Sequence, residues 1–489
     1  MRRRVRTIVF GVSVAAVAAA GCQTSGLSGR PRTFSPVPPA VDTGNTASAA
    51  PQVRLAAGFS SAGDADPRVV PAAGGLPIPA RTSGHPLTIA DLEQLALANN
   101  PTLVQAAALI DAAHGKATQA GLPFNPTAGI AGEQIGADRR AGEWTWFSLQ
   151  QEIVTGGKLQ LSRQKYELEA ELAEIQAQAQ RLKVVNGLAA GYFDVLATQR
   201  SVENARRLAE NAKEAENVTQ QLLNLGQANQ QDLLQAQVDA SQARVTLRTT
   251  EARFRQDWVN LATLVGVPDL PQQSLAGQLE PDGLPLSRDE SLARLLQESP
   301  ELAFAVAKVK QDQVQLERER REPIPNITVR GGVGYNYETR NPVAGVGLSL
   351  PIPVFDRNQG TVRQAAADLV RAQAEVTRVQ LDLRRRFADA FTRYETAREE
   401  VENFRDQALP KARKAEELYA EQFKARRAAF PQVLVARRTV YQLDDEYNKS
   451  LAKFRRAEVE VRGLLLVDGL TSPPTPTPSG HIDATPKPR

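Results

Sequence analysis

Apolar residues recur every seven positions along two very long stretches of the chain. The first series runs through Leu161, Leu168, Ile175, Leu182, Ala189 and Leu196, and the second through Val362, Leu369, Val376 and Leu383. A seven-residue apolar period is typical of coiled-coil helices. No proline interrupts the chain from Leu159 to Asn224, and a helix of that length spans on the order of 100 Å at about 1.5 Å per residue. We therefore predict long helices over about 159–264 and about 361–467.

Before each long helical stretch, the apolar period changes to two. Ile327, Val329 and Val333 alternate with polar or glycine residues, and the alternation returns at Val346 and Leu348 after a short polar loop. Such alternation predicts β-hairpins, with strands within about 127–152 and about 327–350. Strands of this length form small soluble hairpins or cross an outer membrane at the usual tilt. Four strands cannot close a membrane barrel, so the hypothesis that these strands cross a membrane requires several copies of the chain to assemble.

The two halves of the chain repeat one order of segments. Pro101 and Pro300 each begin a predicted helix, and they lie about 200 residues apart. Residues 156–158 (GGK) align with residues 356–358 (DRN) at nearly the same separation. A register that drifts by only about one residue over this distance indicates a duplicated domain rather than a short-period solenoid. We place the two units at 86–285 and 286–470.

The N-terminal segment is typical of an exported protein. Arginines precede an apolar run from Ile8 to Ala20, which is too short to cross a bilayer and fits the core of a signal peptide. Cys22, the only cysteine, follows the small residues at the end of this run. This placement is similar to that in bacterial lipoprotein signals. We predict a signal peptide over 1–21 and lipidation of Cys22.

Composition narrows the remaining possibilities. Residues 22–85 and 471–489 are rich in Pro, Ala, Ser and Gly without apolar periodicity, so we predict a disordered tether and a disordered tail. Four of the 59 Lys and Arg residues lie in the signal segment, and the others are balanced by 55 Asp and Glu residues. This balance removes the electrostatic argument for a nucleic-acid partner. A single cysteine also excludes disulfides within the chain.

Candidate catalytic and metal-binding groups are few. His85, His114 and His481 lie far apart, and Met1 is the only methionine. Their spacing gives neither a zinc site nor a copper site. The sequence contains no nucleophile elbow, phosphate loop or zinc-protease motif. We therefore predict that the protein is not an enzyme and has no metal site or cofactor.

In this order of segments, the chain resembles the TolC-type outer membrane efflux channels, especially their heavy-metal branch of the CzcC and CusC type. The resemblance extends over about 87–469. The residues that carry it are the helix starts at Pro101 and Pro300, GGK at 156–158, LPIPVFDRNQG at 350–360 and LGQANQQDLLQAQ from Leu225. No single marker is specific, but their order and duplication are.

The resemblance implies a mainly α-helical chain with a small membrane β part. Three copies would form a homotrimer in which four strands per chain build one twelve-stranded transmembrane barrel. Twelve long helices would continue this barrel as an α-barrel through the periplasm. The implied partners are a periplasmic adaptor, an inner-membrane pump of the resistance-nodulation-division class and outer membrane lipids, to which Cys22 would anchor the trimer. The resemblance implies a passive conduit, with heavy-metal cations as expected cargo.

Several residues receive expected positions in such a channel. The resemblance maps the periplasmic helix tips, which would dock the adaptor, to Leu225, Gly226, Asp232, Arg426, Arg427, Pro431 and Gln432. Arg426 replaces a glycine found in many relatives, and Pro431 and Gln432 stand where acidic residues often line the closed mouth. The strand pattern itself predicts aromatic residues at the membrane interfaces. The candidates are Trp144, Trp146, Tyr335 and Tyr337.

Two other functions remain open from the sequence. A periplasmic adaptor lipoprotein has one helical hairpin between β-rich halves, whereas this chain has two equivalent helical arms. A lipid-anchored coiled-coil scaffold without a pore would have the same long helices. The two inserted hairpins favour the channel, because a fibre does not require them.

Overall fold

The computed structural model describes residues 86–133, 144–281, 283–425, 427 and 430–475. The predicted signal peptide, Cys22 and the tether lie outside these residues, as do Arg426 and the last residues of the predicted tail.

The helices and strands follow one order twice. The first unit contains α1 (Ile89–Asn99), α2 (Pro101–Ala120), β1 (Thr127–Glu133), β2 (Trp144–Ile153), α3 (Lys158–Asn224) and α4 (Gln230–Val265). The second contains α5 (Arg288–Glu298), α6 (Pro300–Arg321), β3 (Ile327–Asn336), β4 (Asn341–Ser349), α7 (Gln359–Asn403), a π-helical turn (Phe404–Ala408), α8 (Leu409–Lys424) and α9 (Phe430–Arg462). The predicted mainly helical fold with four strands is confirmed. Within the described ranges, no helix is both long and apolar enough to cross a membrane.

Local side-chain chemistry explains where the short helices begin. The side chain of Thr88 accepts a hydrogen bond from the backbone N–H of Asp91 (3.3 Å), and the Asp91 carboxylate accepts one from the Thr88 N–H (3.0 Å). Asn100 caps α2 by accepting a hydrogen bond from the Thr102 N–H (2.9 Å). Both arrangements satisfy backbone donors that have no partner within the helix.

The long helices of the two units differ in continuity. Helix α3 runs without interruption for 67 residues, whereas its counterpart is divided by the π-helical turn between α7 and α8. Pro410, the second residue of α8, lacks a backbone N–H, and its ring clashes with the carbonyl four residues earlier in a regular α-helix. The wider turn accommodates this proline, and the Leu409 N–H donates to the Phe404 carbonyl.

Helix α9 ends earlier than predicted. The apolar pattern predicts helix to about residue 467, but α9 ends at Arg462. Leu464 then takes a positive φ of 57°, which a right-handed helix cannot contain. The side-chain amide of Asn186 on α3 donates to the Gly463 carbonyl (2.9 Å). The chain therefore leaves the helix where α3 supplies a donor for its terminal carbonyls.

The first residues of the predicted disordered tail are packed against the helices. Pro473 is buried, and the hydroxyl of Ser472 donates to the Gln105 side chain (3.2 Å). Thr102 donates to the Gly469 carbonyl just before this segment (3.1 Å). The packing of residues 471–473 is therefore at odds with the prediction that disorder begins at residue 471.

The main hydrophobic core lies at the middle of α3 and towards the C-terminal ends of α4 and α9. Its fully buried leucines come from six helices: Leu92, Leu188, Leu261, Leu295, Leu383 and Leu451. The core also contains a run of packed aromatic rings, in which Phe391 contacts Tyr394 and Tyr394 contacts Phe454. The short helices α1 and α5 supply leucines to this core, so they help to hold the long helices together there.

Candidate channel-forming site

The four strands form one antiparallel sheet in the order β1-β2-β3-β4. Its central pair brings Gln150 of β2 opposite Arg330 of β3, and Trp146 opposite Gly334. Strands β1 and β4 are the edges, and neither has an outer partner among the described residues. Each edge leaves a row of backbone donors and acceptors that another strand can pair with.

One face of this sheet is apolar and exposed. Alternation along the strands places Phe147 and Leu149 of β2, Val333 of β3 and Val346 of β4 on the same face. Val346 is 88% exposed and Val333 is 63% exposed. An apolar sheet face open to water is unfavourable, but it suits contact with the hydrocarbon core of a membrane.

The opposite face is polar and rich in glycine. Ser148 and Gln150 of β2 lie on it, together with Gly332 of β3 and Gly345 of β4. Trp146 also lies on this face, since it is separated from Ser148 by two positions. Its side chain therefore points away from the apolar face, which argues against its predicted place at a membrane interface.

The other predicted interface aromatics have different positions. Tyr335 lies on the apolar face with Val333, and its ring contacts that of Tyr337 edge to face at 5.1 Å. Trp144 begins β2, and its side chain lies outside the described part of the chain. Tyr335 and Tyr337 therefore remain candidates for a membrane interface, and the predicted role of Trp144 stays a prediction.

A two-glycine turn joins the first hairpin to α3. Gly156 and Gly157 both have positive φ, at 70° and 72°, which glycine adopts without steric cost. The turn packs on the connection between α6 and β3. There Thr155 donates to the Pro325 carbonyl (2.6 Å), and the Lys158 ammonium donates to the Ile324 carbonyl (2.8 Å). Burial of this ammonium lowers the pKa of Lys158.

The second hairpin joins α7 through Asn358. Asn358 caps α7 with a positive φ of 58°, so it corresponds to Gly157 and lies one residue later than the sequence alignment implies. Its side-chain amide donates to the carbonyl and to the carboxylate of Glu319, at 2.9 and 2.7 Å. Glu319 is buried on α6 and forms a 2.5 Å ion pair with Arg318. The hydrogen bonds from Asn358 to this buried glutamate therefore fix the second turn to α6.

The sequence of this chain matches the family model described as outer membrane efflux protein over residues 92–267 and 292–465. The two matched segments cover both units and account for well over half of the chain. The chain belongs to the outer membrane efflux protein family. It is accordingly an outer membrane channel component of an efflux system.

Relatives of this efflux protein include two metal-resistance proteins. It is 26% identical to the cobalt-zinc-cadmium resistance protein CzcC of Cupriavidus metallidurans, over 80% of this chain and 92% of CzcC. It is 27% identical to the nickel-cobalt-cadmium resistance protein NccC of Alcaligenes xylosoxydans xylosoxydans, over 58% of this chain and 65% of NccC. It is also 24% identical to the pyoverdine export outer membrane protein OpmQ of Pseudomonas aeruginosa, over 72% of this chain and 80% of OpmQ.

Solved structures support the fold of this efflux protein. The outer-membrane channel OprN has a TM-score of 0.64 at 20% identity, over 79% of this chain and 91% of OprN. A CusC structure has a TM-score of 0.62 at 16% identity, over 77% of this chain and 91% of CusC. At this level of identity, both comparisons establish the fold.

The first predicted helix tip is built by two local motifs. Gly226 ends α3 with a φ of 72°, and the Gln227 N–H donates back to the Leu222 carbonyl (2.8 Å). This geometry is that of a glycine-terminated helix. Asn229 and Asp232 then form a capping box at the start of α4. Leu225 is exposed beside this turn, so the tip offers an apolar side chain next to a rigid bend.

The second predicted tip is described only in part. The Arg427 N–H donates to the Gln422 carbonyl (2.8 Å), and Gln432 is exposed. Pro431 is the second residue of α9. Arg426 and the side chain of Pro431 lie outside the described residues.

The sequence analysis did not predict two sets of charged contacts near the helix tips, one between the two helical hairpins and one within the second hairpin. Arg438 of α9 donates to Gln242 of α4 (2.6 Å) and pairs with Asp239 (3.5 Å). Arg437 pairs with Glu416 of α8 (3.3 Å). The two arginines are visible in the sequence, but their partners lie on other helices and could not be inferred from spacing.

The described residues contain no cluster of side chains that could bind a metal ion. No group of three or more His, Cys, Asp or Glu side chains there has the geometry of a metal site. His114 lies on the exposed surface of α2, 3.9 Å from Glu174 of α3.

Proposed function

We propose that three copies of the chain close a twelve-stranded barrel in the outer membrane, and that their long helices continue it as a periplasmic tunnel. The observation that carries this proposal is the four-stranded sheet, with two open edges and one exposed apolar face. Pairing β4 of each copy with β1 of the next satisfies both edges and turns the apolar face outward to lipid.

The internal repeat supports a specific contact between copies. Within one chain, the turn after β2 packs on Ile324 in the α6–β3 connection. The corresponding turn after β4 is uncovered, and Phe355 in it is 92% exposed. The α2–β1 connection, which corresponds to α6–β3, exposes Leu122. We propose that the turn containing Phe355 packs on the connection containing Leu122 of the neighbouring copy.

The proposed assembly works as a passive conduit. A periplasmic adaptor would dock at the tips formed by Leu225, Gly226 and Asp232 on one hairpin, and by residues 426–432 on the other. An inner-membrane pump of the resistance-nodulation-division class would supply the energy. Acyl chains on Cys22 would tether each copy to the outer membrane, in addition to the barrel.

The names of the relatives support a proposal for the cargo. CzcC and NccC are named for resistance to divalent metal ions, so we propose heavy-metal cations as cargo. OpmQ is named for export of pyoverdine, which supports a small organic compound as the second candidate. Growth of a deletion strain on cobalt, zinc and cadmium, with and without the restored gene, distinguishes the two.

The channel itself is tested with the purified full-length protein. We expect a trimer by mass measurement in detergent, and discrete, long-lived openings in a planar bilayer. A monomer that gives no openings would instead identify a lipid-anchored scaffold without a pore. Mass spectrometry of the mature N-terminus checks the lipid anchor, because a terminus other than a modified Cys22 contradicts it.

A further inference from the structure

We propose that Arg330 forms an anion-attracting site on the inner wall of the barrel, for solutes that carry a carboxylate or a phosphate. The inference rests on the proposed trimeric barrel, in which three copies of Arg330 form a ring. Arg330 lies on the polar face of the sheet, opposite Gln150 in the strand register. Because the other face is apolar and suits lipid, the polar face is the one that lines the water-filled interior.

A tryptophan platform holds the Arg330 guanidinium. Its central carbon lies 5.0 Å from the centroid of the Trp146 ring, a distance at which a cation is attracted to an aromatic face. A guanidinium nitrogen also lies 3.5 Å from the Ser148 hydroxyl. The arginine is therefore positioned by two neighbours on β2 and is not a freely mobile surface side chain.

Two glycines make room for this platform. A Cβ atom at Gly332 would lie 3.0 Å from the Trp146 ring, and one at Gly345 would lie 3.3 Å from it. The indole therefore lies against the backbone of β3 and β4, where any larger residue would displace it. A Cβ atom at Gly332 would also lie 2.7 Å from the Phe147 carbonyl oxygen. Glycine at the two positions therefore leaves room for the indole ring beneath the guanidinium and, at Gly332, for the neighbouring strand.

The charges on this face leave Arg330 available to a solute. Glu152 is the nearest acidic position along β2 on the same face, and its carboxylate accepts a 2.7 Å hydrogen bond from Asn326 at the helical end of the sheet. In the part of the chain that the structure describes, no carboxylate forms an ion pair with Arg330. A guanidinium stacked on an aromatic ring keeps its outer N–H groups, which match the two oxygens of a carboxylate or phosphate.

The effect on transport is a preference and not a barrier. Three positive charges in a barrel of twelve strands attract anions and retard cations, while the width of the barrel leaves room for both. A cationic cargo would therefore pass this level more slowly than an anionic one of the same size. Arg330 would be a specificity-determining residue of the channel.

The rates at which charged reagents label a cysteine next to Arg330 report the electrostatic potential at that point. The probe is Gln150→Cys in the full-length protein in lipid nanodiscs, treated with an anionic and a cationic methanethiosulfonate reagent of similar size. We expect the anionic reagent to be favoured. Arg330→Gln in the same background should lower the ratio of anionic to cationic rates by about tenfold at low ionic strength. Arg330→Lys should leave the ratio of anionic to cationic labelling rates nearly unchanged, and Trp146→Leu should lower this ratio.

Two results would overturn the inference. One would also overturn the proposed barrel, and the other would not. If Leu149→Cys, on the apolar face, reacts with the charged reagents as fast as Gln150→Cys, the assignment of the faces fails, and the barrel fails with it. If only Gln150→Cys reacts but Arg330→Gln changes the ratio by less than about twofold, the barrel stands and the role of Arg330 is wrong. The protein without introduced cysteines is the control, because it shows how much of the labelling comes from Cys22.

Discussion

The adjacent glycines at the first strand-to-helix turn have nearly the same backbone angles but different surroundings. A Cβ atom on Gly156 would lie 2.9 Å from the Ile324 side chain, whereas one on Gly157 would meet nothing within 4 Å. The positive φ alone penalises any other residue at both positions. Gly156 is therefore required for packing as well as for backbone geometry, and Gly157 only for the latter.

This difference gives a matched pair of variants. Gly157→Ala should cost about 1 kcal/mol, the penalty for a left-handed residue with a side chain. Gly156→Ala should cost that amount plus about 1–3 kcal/mol for the overlap with Ile324. Thermal unfolding of the purified protein, followed by circular dichroism, measures both. Equal midpoints for the two variants would show that the Ile324 contact is unimportant.

Two partly buried carboxylates on the long helices make stability depend on pH. Burial raises the pKa of Asp194 on α3 and of Asp257 on α4, because a charged carboxylate is disfavoured there. Asp194 pairs with Arg456 of α9. Asp257 has a weaker partner, Arg253, at 4.0 Å, and it is therefore the simpler residue to test.

The sign of the effect follows from proton linkage. A carboxyl group with a raised pKa in the folded state binds protons more readily there than in the unfolded chain, so acidification favours folding. This contribution is fully present below the unfolded pKa of 3.8 and is lost as the pH rises through the folded pKa. Stability of the wild type relative to Asp257→Asn should therefore increase as the pH falls from 7 towards 4. A difference in melting midpoint that is constant over this range would contradict the expectation.

At the scale of elements, the apolar period predicted the long helices well and their ends poorly. The heptad from Leu161 to Leu196 lies wholly within α3. The early end of α9 depends on Asn186, which is distant in sequence, so no local pattern reveals it.

The face on which Trp146 lies could have been predicted from the sequence. Trp146 is an even number of positions from Ser148 and Gln150, so it lies on their face of the sheet, whereas Phe147 lies on the other. The cross-helix pairs of Arg437 and Arg438 could not be foreseen, because they depend on how the hairpins pack.

The role of Asn186 can be tested on the segment that it holds. Asn186→Ala removes donors to the carbonyls of Gly463 and Leu466, at 2.9 and 2.7 Å. We expect faster hydrogen exchange and faster proteolysis in residues 463–475, while α3 remains folded. Asn204→Ala, about 27 Å further along the same helix, is the control and should leave that segment protected. Equal protection in both variants would exclude the proposed anchor.

At the scale of the whole molecule, the duplicated unit predicts which surfaces meet between copies. In Leu122→Cys/Phe355→Cys, mild oxidation should join neighbouring copies, because the turn after β4 is proposed to pack on the next α2–β1 connection. Non-reducing gels should show covalent dimers and trimers. Each single variant should remain monomeric on the same gels. A double variant that stays monomeric while the purified protein is trimeric would place the contact elsewhere.

The two open strand edges also have a consequence for biogenesis. If the chain assembles as proposed, it crosses the periplasm before it pairs with neighbouring copies, and in that interval it carries unpaired β edges beside an apolar face. Such edges promote indiscriminate aggregation. Safe delivery of this chain therefore requires either an escorting chaperone or assembly that is faster than aggregation. Its abundance in the cell should then be limited by the supply of chaperones rather than by the stability of the finished complex.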